Sequence, residues 1–418
     1  MIAIQPVSSP IPQPKQPAPK PVQLTPKPPA PEGYKQSPKD FYVSDTNYLN
    51  RDDYTGRWPD KSNAKYEGRD SLPHSVQREK GPGSATDEER DQKLLKPKEF
   101  NRLHIGKAHW GTILSLTYHN GLFFTGGSDA AIKTWDLHTS KLVHNLLGHT
   151  SAISKLYLYK HWLISGETKG IVKLWSIQTG RCLKTLTGHE SAVTDIKPHY
   201  DHLVTASYDT TIRIWDLHKG KCLKILEGHE GPIRSIKVWH NNIISGDEFG
   251  NVIVWDMESG HALHKIKAHI GPITKIDGNE HRFASASRDS TVKVFNTVTG
   301  KLIHHLTEHN AAIMTMQKYA NTMITGSKDT TLKIWDVTRG KSRFTLCGHE
   351  FPVMCFSYNG DLLASGSEDQ KIKLWNPTSG QCLNTLTAHK GPIKRVWLNN
   401  RVLLSTDGVY LIIWDLYE

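Results

Sequence analysis

From residue 101 to the end of the chain, short runs alternate apolar with polar residues, as in Thr331-Leu-Lys-Ile-Trp335 and Val292-Lys-Val294. Period-two alternation bounded by Gly, Asp and Asn predicts half-buried strands. The runs recur every forty residues. His109, His149, His189, His229, His269, His309, His349 and His389 each open a unit. An aromatic residue follows the first seven after twenty-six positions: Trp135, Trp175, Trp215, Trp255, Phe295, Trp335 and Trp375. Trp414 follows His389 after twenty-five. Each unit predicts four strands: one after the His, one ending in Ser/Thr-Gly/Ala, one ending at the aromatic residue, and one before the next His. A fixed period in this range marks a repeat architecture.

One unit shows the grammar. Gly188-His189 opens it, Asp209 sits in its middle, Trp215-Asp216 ends its third strand, and Gly228-His229 opens the next. The Gly-His and Trp-Asp pairs with a mid-unit Asp closely resemble the WD40 family, over residues 101–418. The resemblance implies an all-β fold, a single β-propeller of eight four-stranded blades. In that family the sequence unit is offset from the blade, so the strand before a Gly-His is the outer strand of the preceding blade. The chain ends just after Trp414-Asp415, which leaves the eighth blade one strand short. Asn101-Arg-Leu103-His-Ile105 aligns with Arg181-Cys-Leu183-Lys-Thr185, so residues 101–106 are expected to supply that strand and close the ring.

The first seven units also carry a Ser or Thr ten residues before the aromatic position, the shortened eighth carries Ser405 nine before Trp414, and five units carry an Asp six residues before the aromatic position. The sets are His109, Thr125, Asp129 and Trp135; His189, Thr205, Asp209 and Trp215; His309, Thr325, Asp329 and Trp335; and His349, Ser365, Asp369 and Trp375. The fifth unit has His269, Ser285 and Asp289 but Phe295, so its chain is expected to end at Ser285. Lys169 and Phe249 stand at the Asp position of units two and four, which predicts incomplete chains there. Asp407 is expected to serve the eighth unit. Ser, His and Asp together suggest a hydrolase nucleophile. Eightfold repetition argues instead for a structural hydrogen-bond chain from Asp through His and Ser/Thr to the indole, in which each buried polar group finds a partner. The family resemblance implies the same.

Two further positions per unit point to the family's ligand-binding rim. One lies five residues after the His and holds Arg234, Met314, Met354 and Lys394. The other precedes the mid-unit Asp and holds Tyr208, Arg288 and Lys328, with Glu248 and Glu368 among its acidic members. Arg234, Arg288 and Lys328 come from consecutive units and are expected to form one basic arc, suited to carboxylate or phosphate. The regular units resemble the substrate-receptor propellers of F-box/WD40 ubiquitin ligases. No F-box helices and no Trp-Asp-x-Arg are visible, so any such role requires another chain to bring the ligase.

Composition adds a tail and a charge. Residues 1–40 are rich in Pro and Lys, which favours polyproline II over a core and predicts a disordered tail. Its PxxP spacing suits either docking or a spacer. Residues 41–60 interleave Phe41, Tyr42, Tyr48, Tyr54 and Trp58 with Asp45, Asp52, Asp53 and Asp60, as a linear motif or a strap would. Residues 61–100 read as a charged linker. The net charge is +11, and residues 101–418 hold 36 Lys and Arg against 27 Asp and Glu. Such an excess suits nucleic acid, acidic protein partners or a merely solvated surface.

Five cysteines, with no Cys-x-x-Cys pair, give neither a disulfide framework nor a zinc spacing. No apolar stretch approaches the roughly 18 residues of a membrane span, and prolines interrupt any early signal sequence. These features predict a reduced, cytoplasmic or nuclear protein with no metal, cofactor or membrane contact. The leading expectation is a non-enzymatic scaffold or peptide receptor, a subunit of a larger complex that binds other proteins or acidic or phosphorylated peptides. The alternative is a basic subunit of a ribonucleoprotein or chromatin complex. An enzyme would need a site that breaks the repeat, and no Walker-type motif or other such site is visible.

Overall fold

The computed structural model describes residues 102–416 apart from residue 280, and describes 102–107 by their backbone alone. The segments 1–40, 41–60 and 61–100 lie outside the described residues. The remainder folds into eight antiparallel sheets of four strands each. Blade 1 takes the strands Ile113–His119, Leu122–Gly127, Ile132–Asp136 and Leu142–Leu146. Blades 2 to 7 repeat it at the forty-residue period. Inner strands of successive blades lie side by side, and the inner strand of blade 8 returns to that of blade 1, so the blades close into a ring.

The eighth blade is completed by the strand Arg102–Lys107, which pairs antiparallel with Tyr410–Asp415 as the outermost member. Its register sets Arg102 opposite Trp414 and Lys107 opposite Tyr410, with a bulge between Ile105 and Lys107. The closing strand therefore lies one residue later than the 101–106 expected. A ring closed through both ends of its chain leaves few exposed sheet edges.

Apolar packing runs between blades. The residue four after each His, Ile or Val in every unit, is at most 1% exposed from Ile113 to Ile393. In units two to eight it presses on the Gly or Ala next to the end of the second strand of the blade before; blade 8, which precedes Ile113, has Thr406 there. A Cβ on Gly166 would stand 2.7 Å from Val193, and one on Gly366 would stand 2.4 Å from Ile393. This contact explains the Ser/Thr-Gly/Ala grammar of that strand. Polar stitches add to it. Ser115, Ser235 and Ser357 accept a backbone N–H from the next inner strand, at Leu156, Ile276 and Leu398. Asp195 and Asp277 do the same for Ile236 and Lys318, and they are ion-paired with Lys155 and Lys237.

The closing strand can be tested by truncation. A chain that begins at Ala108 loses a ladder of backbone hydrogen bonds, each contributing about 1 kcal/mol net. It should melt with a loss on the order of 3–5 kcal/mol. A chain that begins at Lys96 should melt like the full protein. Equal melting of all three would mean that the ring does not depend on this strand.

Candidate functional site

In blades 1 to 7 the inner strand carries a bulge at its second residue. The register shifts between Ile233 and Ser235, for example, and likewise around Leu114, Ser154, Thr194, Thr274, Met314 and Met354. A bulge leaves one residue unpaired and re-aims its side chain. In these seven blades the rim position five after the His is therefore exempt from the ladder. Ser154 and Thr194 still use it to bond the carbonyls of Val193 and Ile233 in the next blade. Arg234, Met314 and Met354 do not. Lys394, half-buried, immediately precedes the inner strand Arg395–Leu398 of blade 8.

The second rim position is fixed to the same face. In blades 1 to 7 its backbone N–H donates to the carbonyl three residues after the His. Tyr208 bonds Ala192, Glu248 bonds Pro232, Arg288 bonds Pro272, and Lys328 bonds Ala312. Arg234, Arg288 and Lys328 thus share one end of the ring, as members of blades 4, 5 and 6. They are not equivalent. Arg234 donates to Glu248 at 2.9 Å and lies over the Tyr208 ring, 5.7 Å from its centre. The side chains of Arg288 and Lys328 are exposed and make no hydrogen bond or ion pair with the described residues.

The same face exposes apolar side chains that the sequence reading passed over. Trp110 is 86% exposed and Ile270 96%, each directly after a unit's His, and Phe249 and Phe351 are at least half exposed. Phe249 stood at a position read only as a missing Asp. The signal for Trp110 and Ile270 was available, because the other units place Thr, Glu, Asn or Lys after the His.

Behind this face each blade carries its buried chain. In blades 1 to 7 the His Nδ1 lies 2.7–2.9 Å from a carboxylate oxygen. A carboxylate only accepts, so Nδ1 carries the proton and donates. In the neutral ring Nε2 then accepts the hydroxyl proton of Ser or Thr. That distance is 2.6–2.8 Å in all eight blades. The same oxygen accepts the indole N–H at 2.8–3.0 Å wherever the aromatic residue is Trp. In blade 5, Phe295 has no N–H, and the chain stops at Ser285.

This order of groups matches a hydrolytic triad, but all eight hydroxyl residues are fully buried. In seven of them a Trp N–H occupies the oxygen, so a substrate carbonyl has no approach to the would-be nucleophile.

Units two and four correct the expectation of incomplete chains. Glu167 bonds His149 Nδ1, and Asp247 bonds His229 Nδ1. Each sits two residues before Lys169 or Phe249, at the end of the second strand. There Glu167 also accepts the Thr150 N–H, and Asp247 accepts the N–H groups of Phe249 and Asn251. In blade 8, Asp407 lies 3.4 Å from His389 Nδ1, a looser contact than in the other seven.

Burial is the largest influence on the imidazoles and pushes His109, His149 and His349 below the ordinary histidine range, against the pull of their carboxylates. Burial works to raise the carboxyl pKa values. Hydrogen bonds from His, Thr and backbone N–H outweigh it, and Asp209, Asp289 and Asp329 are held well below the ordinary range.

Two expectations follow. Glu167→Ala orphans His149 Nδ1 and the Thr150 N–H and should cost on the order of 2–3 kcal/mol. Lys169→Ala, at the aligned position, should stay within about 0.5 kcal/mol. Denaturant melts of the two variants decide which residue serves the blade. The pH dependence has a definite sign. The unfolded chain protonates the three histidines first, near pH 6.5, so their contribution is complete above about pH 6.5 and shrinks on acidification. The depressed carboxylates lose theirs only below about pH 4. The melting temperature should be flat from pH 8 to 7 and fall from there towards pH 4; a rise between pH 7 and 5 would contradict this.

The WD domain, G-beta repeat model of the WD40 family matches residues 180–216, 220–256, 260–296, 300–336 and 340–376. No curated protein matches the chain. Among solved structures, the computationally designed Ika8 protein is 28% identical over 74% of this chain and 98% of its own, with a TM-score of 0.70. Sqt1 of Saccharomyces cerevisiae is 16% identical over 77% of this chain and all of its own, with a TM-score of 0.69, a likeness of fold alone. Five matched repeats on a ring of eight four-stranded blades identify the chain as a WD40-repeat β-propeller.

Proposed function

We propose that the propeller is a protein-interaction scaffold that receives an acidic segment of a partner on the face formed by the His loops. WD40 propellers are generally non-enzymatic modules that bind proteins or peptides. One observation carries the finer reading. On blades 4 to 6 that face sets exposed apolar side chains, Phe249 and Ile270, with two cations that have no side-chain partner among the described residues, Arg288 and Lys328. Exposed apolar surface rimmed by polar groups is a common mark of an interaction site. A free guanidinium beside it suits a carboxylate or a phosphate, which Arg can grip with two parallel bonds. Arg234 is already held by Glu248, so its role here is to fix Tyr208 and Glu248 at the edge of the arc.

In quantitative affinity purification with the full chain, Arg288→Ala/Lys328→Ala should recover its partners with affinity lowered on the order of tenfold to a hundredfold, with unchanged melting. Arg234→Ala should have a smaller effect. Phosphatase treatment of the lysate separates the two anions: a phosphorylated partner is lost, a carboxylate-bearing one is kept. Equal recovery by wild type and the double variant would remove this face as the binding site. Recovery of nucleic acid, with binding that falls steeply as salt rises, would favour a ribonucleoprotein role instead.

A further inference from the structure

The cleft between blades 3 and 4 opens at the end of the ring opposite the His loops, beside the turns that join inner to second strands. It forms an open recess of about 570 Å³. Ile214 and Met257 form its floor, and His199, His202, Asn241 and Glu258 stand around it. The forty-residue register locates the equivalent cleft one blade back, between blades 2 and 3. There Leu174, Leu217, Asp201 and His218 correspond to Ile214, Met257, Asn241 and Glu258, and Trp162 corresponds to His202.

Trp162 occupies its cleft. The indole packs on the cluster that contains Leu174 and Leu217. It meets the His218 ring edge-on, with centroids 6.0 Å apart and planes at 72°. Other clefts are occupied as well. Arg282, at the same position of blade 5, reaches the Val337 carbonyl of blade 6. Leu362 of blade 7 is buried with Leu416 of blade 8. In blade 3 the position carries an imidazole, and the volume that an indole takes one blade back is open.

We propose that this cleft is a docking site for a tryptophan side chain of a partner protein, seated as Trp162 is seated in the blade before. The internal copy supplies the template. Ile214 and Met257 offer the ring an apolar floor of the same kind as Leu174 and Leu217. Glu258, where the template has His218, places a carboxylate at the mouth that accepts the indole N–H. Burial, with His240 and His202 beside it, holds the His199 imidazole below the ordinary range. That side of the cleft thus favours the neutral imidazole, which an aromatic ring can cover without desolvating a charge; the cation in the lining, Lys224, is held on the Glu258 carbonyl. Despite the cluster of imidazoles, no group of three His, Cys, Asp or Glu among the described residues is placed to hold a metal ion. The site lies away from the His-loop face, and its failure would leave the proposed function untouched.

The probe is N-acetyltryptophanamide, titrated onto the full chain by ligand-observed NMR, with adenosine in parallel to detect a preference for nucleobases. The expected result is one site with a dissociation constant on the order of a millimolar. His202→Trp fills the cleft from within; it should bind at least tenfold more weakly and melt no lower than wild type. Trp162→His opens the second cleft and should raise the stoichiometry from one to two. Unchanged binding by folded His202→Trp overturns the proposal, as does displacement of the tryptophan amide by adenosine. If His202→Trp does not fold, a stoichiometry that stays at one in Trp162→His overturns it.

Discussion

Blades 1 to 7 each depend on an imidazole taken out of water and bonded at both nitrogens, and blade 8 follows with a looser contact at Nδ1. A buried ring with an orphaned nitrogen would be destabilising, so the His can sit behind its loop only if a carboxylate and a hydroxyl arrive together. The carboxylate comes from the end of the second strand or the turn after it. The hydroxyl comes from within the second strand and, in every blade but the fifth, is itself held by the Trp indole of the third. One chain of bonds thereby ties the loop that enters a blade to two of its strands. Packing between blades completes the ring: a branched apolar residue four positions after the His presses on a Gly or Ala of the blade before.

This division of labour separates positions that must be kept from positions that are free to vary. The tetrad hydroxyls are sealed, and their resemblance to a hydrolase triad is a consequence of satisfying buried polar groups. The bulged residue of the inner strand in blades 1 to 7 is outside the ladder, and the residue after each His faces solvent. Variation collects at these places, as Arg234, Met314, Trp110 and Ile270 illustrate. The turn position of the cleft varies as well, from Trp162 through His202 to Arg282. Blades of nearly identical framework thus present different chemistry at both ends of the ring.

The framework was legible in the sequence because it repeats. Eight units and four strands in each followed from the period, and the closing strand followed from the blade offset that the family resemblance implies, with the strand displaced by one residue. The second and fourth tetrads were misread because equal spacing was taken to define the acid. What the structure conserves is a carboxylate within reach of Nδ1, and a side chain at the end of the second strand reaches it as well as one in the turn. The clue was present: Ser-Gly-Glu167 and Ser-Gly-Asp247 carry an acid eighteen residues after the His, where units one, three, five, six and seven have Gly or Ser and unit eight has Asp407. From the sequence, Arg234 could equally bind a ligand or pair with Glu248; the structure shows the pairing, and the bulge that aims Arg234 leaves no mark in the apolar pattern. The open cleft depends on neighbours brought together from two blades, and a single unit does not reveal it.

The buried imidazole is the constraint on which the other features rest, and its proton can be observed directly. Nitrogen-15 NMR of the histidine rings at pH 7 should show His109, His149 and His349 as neutral rings, with the proton on Nδ1 and a bare Nε2. Assignment by single His substitutions would identify each signal. Rings protonated on both nitrogens at pH 7, or carrying the proton on Nε2 alone, would contradict the bond order from carboxylate through imidazole and hydroxyl to indole.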